Sequence, residues 1–206
     1  MQIGLTRNDI KKAIIKSQHC QRNWDLSKEI PQEDLDLIIH SVTNCPSKQN
    51  HAFYRVIAIT NRDTIKKVHE ETKGFLLPNG NWTTNSQTLA NLLLVFVKVE
   101  TSTAHKRKNE AYENSSNGAK ERDANMAIGV AAGYANLTSS ILGYSTGCCA
   151  CFEESALQEI LQIDEPIMLL MGIGYKNLSK NRRLHHNTNE EFPTLEKENI
   201  EVNFVK

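Results

Sequence analysis

The sequence predicts one layered domain with helices and strands interspersed, an α+β or α/β fold. Three observations predict it. Apolar residues recur at helical spacing in several segments, of which 31–43 is the clearest. Apolar runs of strand length, YRVIAIT at 54–60, LLLVFVKV at 92–99 and PIMLLMGIG at 166–174, alternate with those helices. No repeat or linker divides the 206 residues, so a single domain over 1–206 with a sizeable core is expected.

In chain order, Ile10, Ala13, Ile14 and Ile15 give a short helix over 8–17. Pro31 suits the first turn of the next helix, Glu33 and Asp34 favour its N-terminus, and Leu35, Ile38, Ile39 and Val42 share one face to Thr43. Pro46 ends that region. Tyr54–Thr60 reads as a buried strand, and 63–71 as a helix capped by Asn61. Glycine, proline and asparagine make 75–85 a loop. A helical turn and then a second central strand occupy 89–99. Residues 101–120, polar and asparagine-rich, read as a mobile excursion. A long helix follows over 122–142, an extended stretch over 145–150, a helix over 153–161 and a third strand over 166–174. Ile200, Val202 and Phe204 alternate as in a terminal strand.

Bulk composition excludes some functions. Lys+Arg and Asp+Glu are both 24, which argues against a nucleic-acid binder held by a generally basic surface. Met1–Gln18 is polar and charged, unlike a secretory signal, and the five cysteines form no framework of pairs. A reducing cytoplasm with free thiols is the expected setting. The segment 124–142 has small residues, with Gly129 and Gly133 one turn apart. Asn125, Asn136, Thr138, Ser139 and Ser140 interrupt it before an apolar run of about 18 residues is reached. Ala127, Ala131 and Ala135, or the two glycines, suit close approach of another helix or of a flat ligand.

Candidate binding residues fall in three polar patches: Gln18-His19-Cys20-Gln21-Arg22-Asn23-Trp24, Asn44-Cys45-Pro46-Ser47-Lys48-Gln49-Asn50 and Lys180-Asn181-Arg182-Arg183. A phosphate needs cations and N–H donors to replace its hydration, and Arg22, Lys180, Arg182, Arg183 and His19 are of that chemistry. The middle patch lies between a helix and a strand, where it can position a polar ring edge. A lysine there can stabilise charge that develops on reduction of a heterocycle. Each patch taken alone also fits solvated surface. Cys148-Cys149-Ala150-Cys151 lacks the CxxC spacing of a zinc site, and no metal is expected. Neither a G-x-G-x-x-G loop nor a Walker loop is present.

In their order and spacing these pieces resemble the flavin-dependent nitroreductase family. The family's opening R-R/H-S-x-R/K-x-F pattern reads here as Gln18-His19-Cys20-Gln21-Arg22-Asn23-Trp24. Its P-S-x-x-N-x-Q-P-W pattern reads as Pro46-Ser47-Lys48-Gln49-Asn50-His51-Ala52-Phe53-Tyr54. The small-residue helix, the loop from Gly143 to Phe152, the strand end Gly172-Ile173-Gly174-Tyr175 and the late K-x-R of Lys180-Asn181-Arg182 follow in order.

The resemblance implies an α+β fold with a central, mostly antiparallel sheet flanked by helices, in an intertwined homodimer with FMN at the interface. It implies hydride transfer from NADH or NADPH through flavin N5 to a nitroaromatic, a quinone or a similar conjugated acceptor. It places His19, Cys20 and Arg22 near the phosphate, ribityl chain or ring edge. Pro46, Ser47, Lys48 and Asn50 fall in the polar loop around the flavin, and Asn85 against the ring system. Cys149 and Ala150 lie beside N5, and Lys180 and Arg182, with Arg183 one register away, form the late phosphate clamp. No side chain is assigned as an acid or base. The departures are Gln18 for arginine, Cys20 for serine and Ala52-Phe53-Tyr54 for Q-P-W. They also fit a non-catalytic protein that holds or sequesters flavin.

Overall fold

The structure, a computed structural model, describes residues 4–99 and 116–205. Four strands form one antiparallel sheet: β1 (Tyr54–Ile59), β2 (Leu92–Lys98), β3 (Ser145–Cys149) and β4 (Ile167–Gly174), in the order β1-β2-β4-β3. Among the described residues five α-helices accompany it: α1 (Arg7–Ser17), α2 (Gln32–Thr43), α3 (Arg62–Glu70), α4 (Asn117–Ile141) and α5 (Glu154–Leu161). The fold is therefore α+β, and the α/β alternative is set aside because every strand pairing is antiparallel.

Strand β2 is the axis of the core. Leu93, Val95 and Val97 face one side, among Trp24, Ile65, Val68, Leu157 and Leu170. Leu92, Leu94 and Phe96 face the other, among Ile38, Val42, Ala131, Ala135, Met171 and Ile173. Covering both faces of a strand requires a continuous apolar run, which is what its sequence provides. Helices α3 and α5 close the first face, and α2 and α4 the second. On α4 the alanines point inward: Ala127, Ala131 and Ala135 are buried. Gly129 and Gly133 lie on the outer face, with open space where a Cβ would stand. Asn61 caps α3, its side chain accepting from the Thr64 N–H at 2.9 Å, as its position before an apolar run predicts.

Three expectations are corrected. Of the strand expected to be buried, residues 54–57 are only partly buried and Ala58 is exposed, with Ile59 alone in the core, because β1 is an edge strand with a neighbour on one side alone. Of the excursion expected over 101–120, residues 101–115 lie outside the described residues. Residues 117–120 are instead the first turn of α4, capped by Ser116 accepting from the Ala119 N–H at 3.3 Å. Ile200, Val202 and Phe204 form no strand. They stand exposed beyond Phe192 and pair with neither edge strand of the described sheet, β1 or β3, because alternation alone does not bring a tail to an edge.

The sheet is sealed against the 3₁₀ turn Ser86–Leu89 at Gly172, where an added Cβ would lie 2.0 Å from the Gln87 carbonyl oxygen and 2.9 Å from the Ala90 Cβ. A Gly172→Ala change is expected to destabilise the chain by about 1–3 kcal/mol through this overpacking, read as a lowered midpoint in thermal or urea unfolding.

Candidate functional site

The N-terminal patch becomes a buried strap. Gln21, Arg22, Asn23 and Trp24 are all buried although three of them are polar. Their hydrogen bonds run to distant parts of the chain. Cys20 bridges Thr146 in parallel, and the Gln21 N–H donates to the Thr146 carbonyl at 2.8 Å. Ser86 Oγ donates to the Arg22 carbonyl at 2.8 Å, and Trp24 Nε1 to the Ser86 carbonyl at 2.8 Å. Asn23 Nδ2 donates to the carbonyls of Asn181 and Leu184, the latter at 3.2 Å, and the Trp24 N–H to His186 Nδ1 at 3.1 Å. Arg182 Nη1 reaches the Cys20 carbonyl at 3.4 Å. The first and last polar patches, over 150 residues apart in sequence, thus lie side by side.

Beside this strap is an open cavity of about 290 Å³ lined by Lys16, His19, Gln21, Lys176, Lys180 and Arg182, among others. No carboxylate lines it. Lys16 is held by the Gly143 carbonyl, and Lys180 Nζ donates to the His186 carbonyl at 3.0 Å. Burial lowers the pKa of His19, and Arg182 lowers it further; burial and then Lys176 act the same way on Lys16. Cations gathered without a counter-charge repel one another, and an anion placed among them relieves that repulsion.

Next to the cavity the Arg22 guanidinium lies 4.6 Å from the centre of the Phe192 ring. Its Nε and Nη1 are buried and lack a hydrogen-bond partner among the described residues. Buried donors of this kind are uncommon and mark a place where an acceptor would be stabilising. Arg183 turns elsewhere: its Nη1 faces Glu191 Oε1 at 3.9 Å, and it does not line the cavity.

The middle patch is not part of this cavity. Ser47 and Asn50 line a second one, of about 390 Å³, together with Cys45, His51, Tyr54 and Arg55. The Lys48 ammonium lies 2.6 Å from Asp123 Oδ2 on α4, and Ser47 Oγ donates to the His51 carbonyl at 2.8 Å. Pro46 leads into the turn Lys48–Asn50, in which Gln49 and Asn50 both hold positive φ, 53° and 58°. Two left-handed non-glycine residues in succession are costly backbone and cluster at functional loops.

Cys149 ends β3, and Ala150 is exposed just beyond it. Burial raises the Cys148 and Cys149 thiols to about 12 and about 11, so neither is a thiolate nucleophile at neutral pH. Asn85 caps the 3₁₀ turn, accepting from the Gln87 N–H at 3.2 Å, and the Cys149 thiol donates to the Cys151 carbonyl at 3.4 Å. Among the described residues no group of three or more His, Cys, Asp or Glu is arranged to hold a metal. No helix among them is long and apolar enough to cross a membrane.

A sequence model of the nitroreductase family matches residues 15–175. The chain belongs to the nitroreductase family. No curated protein sequence matches it. A candidate nitroreductase from Bacillus subtilis superimposes with a TM-score of 0.73 at 16% identity, covering 97% of this chain and 100% of the other. A candidate NAD(P)H:FMN oxidoreductase from Staphylococcus epidermidis gives 0.68 at 20% identity over 88% and 93% of the two chains. A candidate nitroreductase from Exiguobacterium sibiricum, solved in complex with FMN, gives 0.65 at 15% identity over 87% and 92%. At these identities the likeness is one of fold.

This nitroreductase-family chain also contains features that the sequence patterns did not single out. Lys16 and Lys176 line the cationic cavity. Each lies close to a recognised motif, Lys16 two residues before Gln18 and Lys176 directly after Gly174-Tyr175, but an isolated lysine carries no spacing signal. A buried histidine pair is the second such feature. His69 Nε2 and His185 Nε2 both meet Thr84 Oγ1, at 2.8 Å and 3.1 Å, joining α3 to the C-terminal loop. Burial, and next the neighbouring His185, lowers the His69 pKa from 6.5 to about 4.

That shift has a definite sign. The unfolded chain binds a proton at His69 near pH 6.5 and the folded chain only near 4, so stability is full above about 6.5 and declines as pH falls toward 4. His69 contributes a slope of at most about 1.4 kcal/mol per pH unit in that window. Urea midpoints measured from pH 7 to pH 4 should fall more steeply in the unaltered chain than in a His69→Gln variant.

Proposed function

We propose that this chain is an FMN-dependent oxidoreductase, reduced by NADH or NADPH and re-oxidised by a nitroaromatic, a quinone or a similar conjugated electrophile. The single observation that carries the reading is the carboxylate-free cationic cavity built by both ends of the chain within a nitroreductase-family fold. Its donor chemistry fits the phosphate of FMN. The unpartnered Arg22 donors fit an electron-rich acceptor on the same ligand. FMN bound there would supply the redox chemistry, relaying a hydride equivalent from the nicotinamide to the acceptor, while the chain would supply binding and orientation.

The chain's own residues then bind and orient. Lys180 and Arg182 neutralise the phosphate, with His19 at the same cavity. Backbone N–H groups around Cys149 and Ala150 would serve the reactive edge of the ring, and Asn85, which caps the adjoining 3₁₀ turn, would serve the ring system. The neutral Cys148 and Cys149 thiols contribute packing and no nucleophile. All five cysteines are free, which suits a reducing cytoplasm.

Pro46, Ser47, Lys48 and Asn50 act across a homodimer interface in this reading, because their loop opens onto a cavity separate from the cationic one. Two features support a second copy. Met126, Val130 and Tyr134 are exposed along α4 beside the open Gly129 and Gly133, and the apolar tail with Ile200, Val202 and Phe204 is uncovered.

Purified protein mixed with FMN and passed over gel filtration is expected to elute with flavin absorbance at the mass of a dimer. Stopped-flow mixing with NADH or NADPH then bleaches the flavin band. Retained flavin without bleaching would instead indicate a protein that holds flavin without turning it over. Within the clamp, Arg182→Ala is expected to weaken FMN binding by about ten- to a hundred-fold, the effect of losing a charge-assisted hydrogen bond. Arg183→Ala should change it little, since Arg183 faces Glu191 outside the cavity. Fluorescence titration of both variants reads the difference.

A further inference from the structure

We infer that Lys16 and Lys176 are flavin-phosphate ligands in this chain, standing in for the arginine that the family pattern places at position 18. The inference rests on the FMN reading above and extends it to two lysines outside the recognised motifs. Gln18 is exposed at the C-terminus of α1 and does not line the cationic cavity. Lys16, on the last turn of the same helix, does, and so does Lys176 at the exit of β4.

Four cations, Lys16, Lys176, Lys180 and Arg182, therefore converge from three separate parts of the fold: α1, the residue pair after β4 and the 180–182 turn. None of them is in an ion pair with a carboxylate among the described residues. The chain spends its acidic residues elsewhere: Asp25 meets Lys28 at 3.1 Å and Glu165 meets Arg55 at 3.0 Å.

A lysine at a helix C-terminus also interacts favourably with the helix dipole, and that alone would explain a lone Lys16. It does not explain the arrangement found. Lys16 reaches across to the Gly143 carbonyl in the turn between α4 and β3, where it is half-buried. There its neighbour in charge is Lys176. A lysine with a dipole role only is better left in solvent, away from a second cation. Two ammonium groups that line one cavity without a carboxylate among the described residues repel each other, and an arriving dianion relieves that repulsion. A phosphate monoester carries about −1.5 to −2 at pH 7, which Lys180 and Arg182 alone would just balance. The two further lysines leave the occupied site net positive. Binding then depends on the ligand's phosphate, with an association rate that falls as salt rises.

The test is a paired titration of the full-length chain with FMN and with riboflavin, which lacks the phosphate, in the unaltered protein and in a Lys16→Met/Lys176→Met variant. The unaltered chain is expected to prefer FMN strongly. The variant should lose about ten-fold or more in FMN affinity while riboflavin affinity stays unchanged, and its FMN affinity should depend less on salt. Its unfolding midpoint without flavin should be equal or higher, because a repulsion has been removed. Lys16→Arg/Lys176→Arg should restore FMN affinity.

Unchanged FMN affinity in the methionine variant, beside a strong preference for FMN in the unaltered chain, would overturn this assignment and leave the FMN reading standing. Equal losses for FMN and riboflavin would overturn it too, as a fault in the fold. An unaltered chain that binds neither flavin, or does not distinguish them, would overturn the FMN reading and this inference together.

Discussion

The buried run Gln21-Arg22-Asn23-Trp24 is the constraint on which the rest of this molecule depends. Its residues are at most 8% exposed, yet they bring backbone polar groups, an amide, a guanidinium and an indole N–H into the interior. Each such group left unpaired costs about 1–3 kcal/mol, against a total stability of about 5–15 kcal/mol for a domain. The partners of all but the Arg22 guanidinium, whose Nε and Nη1 have none among the described residues, are therefore present together. They come from Thr146 on β3, from Ser86 before β2 and from Asn181, Leu184 and His186 near the C-terminus. Folding this strap brings the two ends of the chain together, and the cationic cavity beside it is a consequence. A binding site made this way rests on a hydrogen-bond network that is satisfied except at the Arg22 guanidinium, the one place where a ligand acceptor would complete it.

Zero net charge conceals the electrostatic organisation. Equal numbers of acids and bases exclude a generally basic surface, but they say nothing about how the charges are sorted. Here Arg55, Lys28, Lys48 and Arg183 have carboxylate neighbours, whereas the cavity collects cations and excludes carboxylates. The contrast between Arg182 and Arg183 shows how finely this is done. They are adjacent in sequence, yet one lines the cavity and reaches the Cys20 carbonyl while the other faces Glu191. Local sorting costs stability in the empty protein, and only a bound anion compensates for it.

Most of the fold was legible because its elements carry local signals. The Asn61 cap and the doubly buried β2 follow from residue type and spacing, whereas on α4 the spacing offered the alanines or the glycines and the packing buries the alanines. What failed was whatever depends on neighbours. The apolar run of β1 looks like a central strand, but edge position is set by which strands pair, and that is not written in six residues. The alternation of Ile200, Val202 and Phe204 is a strand pattern that pairs with neither edge of the described sheet. In the site, the two terminal patches were readable as chemistry. The register that sends Arg182 inward and Arg183 outward was not, and Lys16 and Lys176 gave no signal until the fold placed them side by side.

The middle patch supplies the last step. Gln49 and Asn50 hold a left-handed backbone that costs about 1–3 kcal/mol per residue and is retained only where surroundings enforce it. Those surroundings are visible: Lys48 is tied to Asp123, Ser47 to the His51 carbonyl, and His51 packs edge-on to buried Phe53. The result is a rigid turn that presents Gln49 and Asn50 to solvent, on a cavity separate from the one the chain ends build. A strained turn that is tied down within its own chain and still presents polar side chains outward suits a contact with a second copy. In the proposed dimer the loop of one copy faces the cationic cavity of its partner. The chain then carries two half-sites, a charged one that holds the phosphate and a polar one that meets the ring. Helix α4 links them, with Asp123 fastening the loop on its first turns and Asn136 donating to the Ser17 carbonyl beside the cavity at 2.9 Å.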